Sequence, residues 1–352
     1  MGECINKMSK KKLISIHLNS NKPESIKIFV TSLAEKSNSI ESIEVLISID
    51  KGDQKTLDAL NLLTNKYPNL IRIIETDLIK SFSDAWKPLN LLLEETSGSV
   101  KFISCMSDDI IFKTKNWDAI ILKYENIFED NIFRIRCSKY KNEVYKDIWE
   151  CGYKPDSYAF YTKKWLNIVG QWNPCIGPDT FQECVSYYMR KYGKKFQRDV
   201  ILNEIEFDGQ GVSTNLGLKD RMGRSRIYYK AFFKLVSYKM QKLSSESAFK
   251  IVTEINGVSK KINYIKINKR KLQLKNLSRR FNFFYHRGSP KHIINTKSKN
   301  IIFMLWCYLK FFDNIIIMII NFLHKKNYLI KIIRNEKNLK QIENTINNEK
   351  IT

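Results

Sequence analysis

Residues 43–53 read IEVLISIDKGD, an aliphatic run from Ile43 to Ile49 that stops abruptly at Asp50-Lys51-Gly52-Asp53. A short run rich in β-branched residues and closed by turn formers has the pattern of a buried strand. The same reading extends outward. Upstream, Leu13-Ile14-Ser15-Ile16 is a short strand closed by Asn19-Ser20-Asn21-Lys22-Pro23, and Ile26 to Ala34 places apolar residues at helical spacing. Downstream come a helix through Leu57, Leu60 and Leu63, a strand at Leu70 to Ile74 and a helix near Ala85 to Leu93. A strand from Val100 to Met106 follows, stopped by Ser107-Asp108-Asp109. Strand and helix alternating through short loops predict an α/β fold, a mostly parallel sheet covered by helices on both faces. Such sheets hold their ligands beyond the carboxyl ends of the strands, which directs attention to the loops at 19–23, 50–53 and 107–109.

The chain has 352 residues, 43% of them hydrophobic, which is enough for a packed core and excludes a disordered tail as the whole protein. Its formal charge of +24 is unevenly placed: residues 1–218 carry 30 basic and 29 acidic side chains, residues 219–352 carry 30 and 7. The first part therefore reads as a nearly neutral globular domain and the second as a basic extension. The seven cysteines form no Cys-x-x-Cys pair and do not cluster with the four histidines, so neither a disulfide framework nor a Cys/His zinc site is expected. Leu13 to Leu18 is too short for the apolar region of a signal peptide, which predicts a cytoplasmic start.

Asp108 and Asp109 follow a buried strand, where two adjacent carboxylates repel unless a cation or donor offsets them. Mg²⁺ and Mn²⁺ take one or two carboxylates together with phosphate oxygens, so a metal site is one reading and a helix cap the other. In their order and spacing these loops resemble the nucleotide-sugar glycosyltransferases of A-type fold, nearest to the broad family-two group. Asn19-Ser20-Asn21-Lys22-Pro23 is similar to that group's first loop, Asp50-Lys51-Gly52-Asp53 to the end of its second strand, and Ser107-Asp108-Asp109 to its metal motif. The resemblance implies a nucleotide-diphosphate sugar donor with Asn19, Asn21, Asp50, Asp53 and Asp108 near the nucleotide. It implies Asp109 as the ligand of a diphosphate-bound Mn²⁺ or Mg²⁺. Ser107 replaces the motif's first acid.

The stretch CGYKPDSYAFYTKKWLNIVGQWNPCIGPD, residues 151–179, resembles the acceptor half of these enzymes. The match runs through Trp165, Val169, Gly170, Gln171 and Trp172 to Gly177-Pro178-Asp179. It implies Asp179 as the general base of an inverting transfer, a carboxylate about 3 Å from the acceptor hydroxyl. Glu183, four residues on and on the same helical face, is the reserve candidate. Pro178-Asp179 equally suits a helix start. Phe207-Asp208-Gly209-Gln210-Gly211 resembles a loop of the same family, which adds Gly209 and Gly211 as candidates for close backbone approach to phosphate, with an ordinary turn as the alternative. Trp149, Trp165 and Trp172 are expected in the core, and His286 on a basic surface.

The expected organisation is a catalytic domain over 1–218, with a donor half at 1–110 and an acceptor half at 111–218. A basic extension over 219–300, a hydrophobic segment over 301–326 and a polar tail over 327–352 follow. Ile227 to Lys239 reads as a basic amphipathic helix, and Phe249 to Ile267 as a β-hairpin turning at Asn256-Gly257. Ile301 to Leu323 is long enough to span a bilayer, but Lys310 and Asp313 each cost about 2.5–3.5 kcal/mol there on insertion scales. Flanking lysines at 297, 299, 325 and 326 favour an anionic membrane surface, so the extension is read as membrane-associating at the cytoplasmic face. The acceptor is accordingly expected to be a glycan or lipid-linked glycan of surface polysaccharide synthesis. A nucleic-acid binder using Tyr228, Tyr229, Phe232 and Phe233 is the rival from another class. It leaves the acidic loops unexplained, and no nucleic acid is expected. A nucleotidyltransferase would use Asp108-Asp109 but wants a glycine-rich basic first loop, which residues 19–23 are not.

Overall fold

The computed structural model describes residues 11–77, 86–137, 158–174, 178–202, 204–209, 237–257, 262–269 and 272. The chain divides into two compact units, the first formed by 1–139, 156–179 and 198–216, the second by 140–155, 180–197 and 217–352. Residues 180–197, within the expected acceptor half, thus group with the second unit.

The first unit opens with the expected alternation: β1 (Ile14–Asn19), α1 (Pro23–Lys36), β2 (Ile43–Asp50), α2 (Gln54–Lys66), β3 (Ile71–Thr76), α3 (Trp86–Glu94) and β4 (Phe102–Cys105). It continues through β5 (Ile110–Phe112), α4 (Trp117–Leu122), β6 (Arg134–Arg136), β7 (Phe160–Thr162), α5 (Lys163–Val169), the start of α6 (Pro178–Arg190), β8 (Asp199–Ile201) and β9 (Phe207–Gly209). Seven strands form one sheet in the order β3-β2-β1-β4-β7-β6-β8. β1 pairs in parallel with both β2 and β4, and β7 is antiparallel to both of its neighbours. The mostly parallel sheet expected from the sequence is therefore present. β5 and β9 form a separate antiparallel ribbon.

The sheet's two faces differ in chemistry. In register across the middle strands, Ile43, Ile14 and Phe102 align on one face, and Val45 and Ile16 with them. These residues pack with Phe29, Val30 and Leu33 of α1, Leu60 of α2 and Trp117 of α4 into the main hydrophobic core. Burying such side chains is worth about 1.5–3 kcal/mol each and is the main force holding the layers together. The other face carries Glu44, Ser15, His17, Ser48 and Asn19, and its polar atoms are met by Thr96 and Ser97 in the loop after α3 and by Trp172 in the loop after α5.

His17 is fully buried on that face. The indole N–H of Trp172 donates to its Nδ1 at 2.9 Å, and the hydroxyls of Ser15 and Thr96 lie 3.0 and 3.1 Å from its Nε2. An indole nitrogen only donates, so Nδ1 must carry the lone pair and the proton sits on Nε2. Burial pushes the imidazole pKa from 6.5 down to about 3. The folded state then binds fewer protons than the unfolded chain at any pH between these values, so stability is complete above 6.5 and falls as pH drops. At about 1.4 kcal/mol per pH unit, His17 should cost roughly 2 kcal/mol on going from pH 7 to pH 5. Denaturant titrations of wild type and His17→Gln at both pH values test this, since the variant should lose that part of the pH dependence.

In the second unit, α6 runs on from Thr180 and α7 (Tyr238–Asn256) follows. The Tyr188 hydroxyl donates to Gln241 Oε1 at 2.9 Å, and Phe249 stacks edge-on against Tyr264. α7 corrects the β-hairpin expected over 249–267. Ser237 caps its N-terminus, and Met240, Ser244, Ala248, Ile251 and Val252 repeat along one buried stripe. Asn256-Gly257 is the helix end: Gly257 has φ of +65° and its N–H reaches Thr253 and Glu254 carbonyls. The Asn-Gly pair serves hairpin turns and helix termini alike, because both need a left-handed residue. β-branched Ile251, Val252 and Thr253 tilted the local reading toward strand, but the 3–4 residue repeat governs the structure. Residues 262–268 have no regular secondary structure. No helix among the described residues is long and apolar enough to cross a membrane. Of the helix expected over 227–239, residues 227–236 lie outside the described residues, while Ser237 is the N-cap of α7 and Tyr238 and Lys239 open it. The segment at 301–323, Trp149 and His286 also lie outside.

Candidate active site

The strand order reverses at β1: the chain moves from β1 to β2 and β3 on one side and to β4 on the other. A crevice forms at such a switch point between the loops that leave the two strands. The loops in question are Ser20–Lys22 after β1 and Met106–Asp109 after β4, and they touch. The Ser20 hydroxyl donates to Asp108 Oδ2 at 2.7 Å, and the Lys22 ammonium lies 3.9 Å from Asp108 Oδ1. Asp108 is buried, and burial raises its carboxyl above the ordinary range. The Ser20 hydrogen bond and the Lys22 charge pull it back down, while the Asp109 charge adds to the rise. Asp109 is half-buried and accepts from the Ser107 hydroxyl. Ser107 thus holds the neighbouring acid instead of supplying one.

The remaining donor-side candidates surround this pair. Asn19, at the end of β1, accepts from the Ser48 hydroxyl at 2.5 Å, which ties β1 to β2. Asn21 is exposed on the β1 loop, and Asp50 is half-buried at the end of β2. Gly52, with φ of +86°, allows the turn from Asp50 into α2. Asp53 Oδ1 accepts from Thr56 N at 3.2 Å and caps α2, which gives that carboxylate a structural task at the loop's far end. Gly209 pairs across the ribbon with Ile110, so Asp208-Gly209 runs alongside the residue that follows Asp109. Gly211 lies outside the described residues.

On the acceptor side, Trp165 and Trp172 are buried as expected. Asp179 lies in the first turn of α6. Glu183 is in α6 too, but it is fully buried with Arg190 3.8 Å away. A carboxylate so enclosed and paired suits holding the helix more than meeting an acceptor. These two candidates fall in different compact units.

Sequence reading gave no role to Ser20 or Lys22, although both stood in a quoted loop. The available signal was a hydroxyl and a cation directly after a strand at the expected carboxyl edge. It also missed Asn90 and His17, whose partners Thr96 and Trp172 lie 79–155 residues away in the chain.

The donor set at 107–109 is all oxygen, and among the described residues no three His, Cys, Asp or Glu side chains gather to hold an ion. Mg²⁺ and Mn²⁺ sites built on one or two carboxylates plus substrate phosphates need no such cluster, so Asp109 with Asp108 beside it fits that class. The buried charge of Asp108 carries a stability cost that Asp108→Asn would relieve while keeping an oxygen for Ser20. Because a raised carboxyl favours the fold only while protonated, the wild type loses that contribution as pH rises through the raised value. Thermal melts should place Asp108→Asn at or above wild type at pH 7, with the difference vanishing below the ordinary carboxylate value.

A scan against protein-family models matches none, and a search of curated proteins returns no match. Among solved structures, the chain is similar to the mannosyltransferase PcManGT from Pyrobaculum calidifontis, solved with GDP-Man and Mn²⁺. That likeness has a TM-score of 0.51 at 13% identity and covers 90% of this chain and 88% of that one. At a TM-score of 0.44 and 13% identity it is similar to S. aureus TarS 1–349 with UDP-GlcNAc, over 86% of this chain and 89% of that one. Glucosyl-3-phosphoglycerate synthase from Mycobacterium tuberculosis, with Mn²⁺ and UDP, follows at 0.43 and 13% identity, over 62% and 78%. The sheet order and the likeness to the mannosyltransferase identify the fold as the A-type glycosyltransferase fold.

Proposed function

We propose that the chain is a glycosyltransferase that moves a sugar from a nucleotide-diphosphate donor to a glycan or lipid-linked glycan acceptor, inverting the anomeric centre. The observation that carries this reading is the meeting of the β1 and β4 loops at the switch point. There Ser20 fixes buried Asp108 and leaves Asp109 half-exposed beside it. A nucleotide lying across this edge of the sheet would meet Asp50 and Asn19 on the β2 side. Its diphosphate would meet Asp109 and the ribbon backbone at Gly209. Asp109, with Asp108 behind it, would hold Mn²⁺ or Mg²⁺. Such an ion, when bound, neutralises negative charge on the departing diphosphate.

Ser20 and Lys22 have a distinct task, which is to hold the Asp108 carboxylate in one orientation before donor arrives. Asp179, at the start of α6, would take the proton from the acceptor hydroxyl. The basic, apolar residues 219–352 would bring the enzyme to an anionic cytoplasmic membrane surface, where a lipid-linked acceptor is presented.

Calorimetric titration of the full chain with UDP, GDP, dTDP and CMP sugars, GDP-mannose among them, tests the reading. One nucleotide class should bind with Mn²⁺ present and fail to bind with chelator. Failure of every nucleotide to bind folded protein would overturn it. Sedimentation with vesicles tests the membrane part: binding to anionic vesicles and not to neutral ones is expected, and equal indifference to both would refute it.

A further inference from the structure

Lys22 is a loosely held cation at the crevice. Its side chain is 41% exposed, against 10% for Asp108, and its ammonium stands 3.9 Å from Asp108 Oδ1, beyond hydrogen-bond reach. Lysines on neighbouring segments are engaged more closely. Lys51, after β2, lies 3.0 Å from Asp77, and Lys113, after β5, lies 3.2 Å from Asp208. The backbone N–H of Lys22 donates to the Ser20 hydroxyl at 3.3 Å, so the residue is anchored at the crevice while its tip keeps room to move. A long, flexible lysine stem can leave a contact this exposed at little cost. Asp108 keeps an anchor when it does, because Ser20 donates to its other oxygen at 2.7 Å. Charge balance indicates what Lys22 would meet instead. Asp108 and Asp109, when ionised, already match the charge of one divalent ion. A diphosphate ester brings a negative charge on each phosphate, and its release adds another. A further cation at this edge is therefore needed, and Lys22 stands beside the two carboxylates. A monophosphate-linked donor brings half of that charge and gains correspondingly less.

We propose that Lys22 is a donor-binding residue that leaves Asp108 for the diphosphate of the nucleotide sugar, and so makes the site select diphosphate-linked over monophosphate-linked donors. Lys22 has this role only if the chain is the glycosyltransferase proposed above. Ser20 has no part in the selection, since its hydroxyl stays with Asp108.

The experiment uses the full chain with Mn²⁺ present. Wild type, Lys22→Met, Lys22→Arg and Ser20→Ala are titrated calorimetrically with the nucleoside diphosphate that wild type binds and with the monophosphate of the same nucleoside. Lys22→Met should weaken the diphosphate roughly 10- to 100-fold, the scale of a lost charge-assisted contact, and the monophosphate by less than about threefold. Lys22→Arg should recover most of the loss, because it keeps the charge. Ser20→Ala frees Asp108 and leaves Lys22 in place, so it should weaken both nucleotides alike. Should Lys22→Met fail to give a cooperative melt, Lys22→Gln reads the same ratio. Unchanged diphosphate affinity in Lys22→Met, or an equal loss for the two nucleotides, would overturn the proposal and leave the glycosyltransferase reading standing. So would a Ser20→Ala variant that lost the diphosphate selectively, since the selection would then belong to Asp108. Absence of nucleotide binding by wild type would overturn both.

Discussion

Asp109→Ala should abolish metal-dependent nucleotide binding and lower turnover by about 10²–10³-fold, the scale seen when one charge-stabilising group is taken from an active site. The variant should still fold. Asp109 is half-exposed and its described hydrogen bond is a local one from Ser107, so its loss leaves no buried partner stranded. Asp108 sits one residue away, but it is buried and engaged by Ser20, so it cannot simply replace its neighbour. Calorimetry with the cognate nucleotide, with and without Mn²⁺, reads the loss directly, and a melting curve within a degree or two of wild type separates it from unfolding. Wild-type affinity in Asp109→Ala would place the donor's diphosphate elsewhere.

Asp199→Ala should have the largest effect on stability. Arg134 and Asp199 face each other in register across β6 and β8 and are both buried. The guanidinium meets the carboxylate with two bonds, Nε to Oδ1 at 2.7 Å and the second nitrogen to Oδ2 at 3.0 Å. Removing the acid leaves the fully buried Arg134 cation without this carboxylate, at a cost of about 3–5 kcal/mol. Arg134→Met combined with Asp199→Leu should recover most of that loss, because paired apolar replacements remove the desolvation penalty along with the attraction. Chemical denaturation of the three proteins decides it. The single variant should also weaken nucleotide binding, because β8 leads within a few residues to β9 and the strand beside Asp109.

This pair also shows where sequence reading stops. β1 to β4 were legible because strands buried on both faces appear as apolar runs such as IEVLISI, with turn residues marking each end. β6, β7, β8 and β9 are three-residue strands reading RIR, FYT, DVI and FDG, too short to show a period. In β6 and β8 the charged residues sit inside, where local patterning places them outside. At the site, the carboxylates were visible in the sequence because Asp108 and Asp109 stand side by side directly after a buried strand, where they repel unless something offsets them. Their handlers were not, since Ser20 reaches Asp108 across 88 residues. His17 offered no sign that its neighbour would be an indole. The helix at 238–256 was misread for a different reason: its Asn-Gly end carries the same conformational demand as a hairpin.

The β5–β9 ribbon sets the shortest piece of this chain that could keep its donor loop. Ile110 to Phe112 find their backbone partners in Gly209 to Phe207, more than ninety residues further on. A polypeptide ending before Phe207 would contain every strand of the main sheet and still leave an open edge beginning one residue after Asp109. Open edges of that kind invite pairing with other chains. Trimming the basic third for easier handling should therefore begin beyond Gly209, and a cut a few residues earlier would trade solubility for self-association at the site itself.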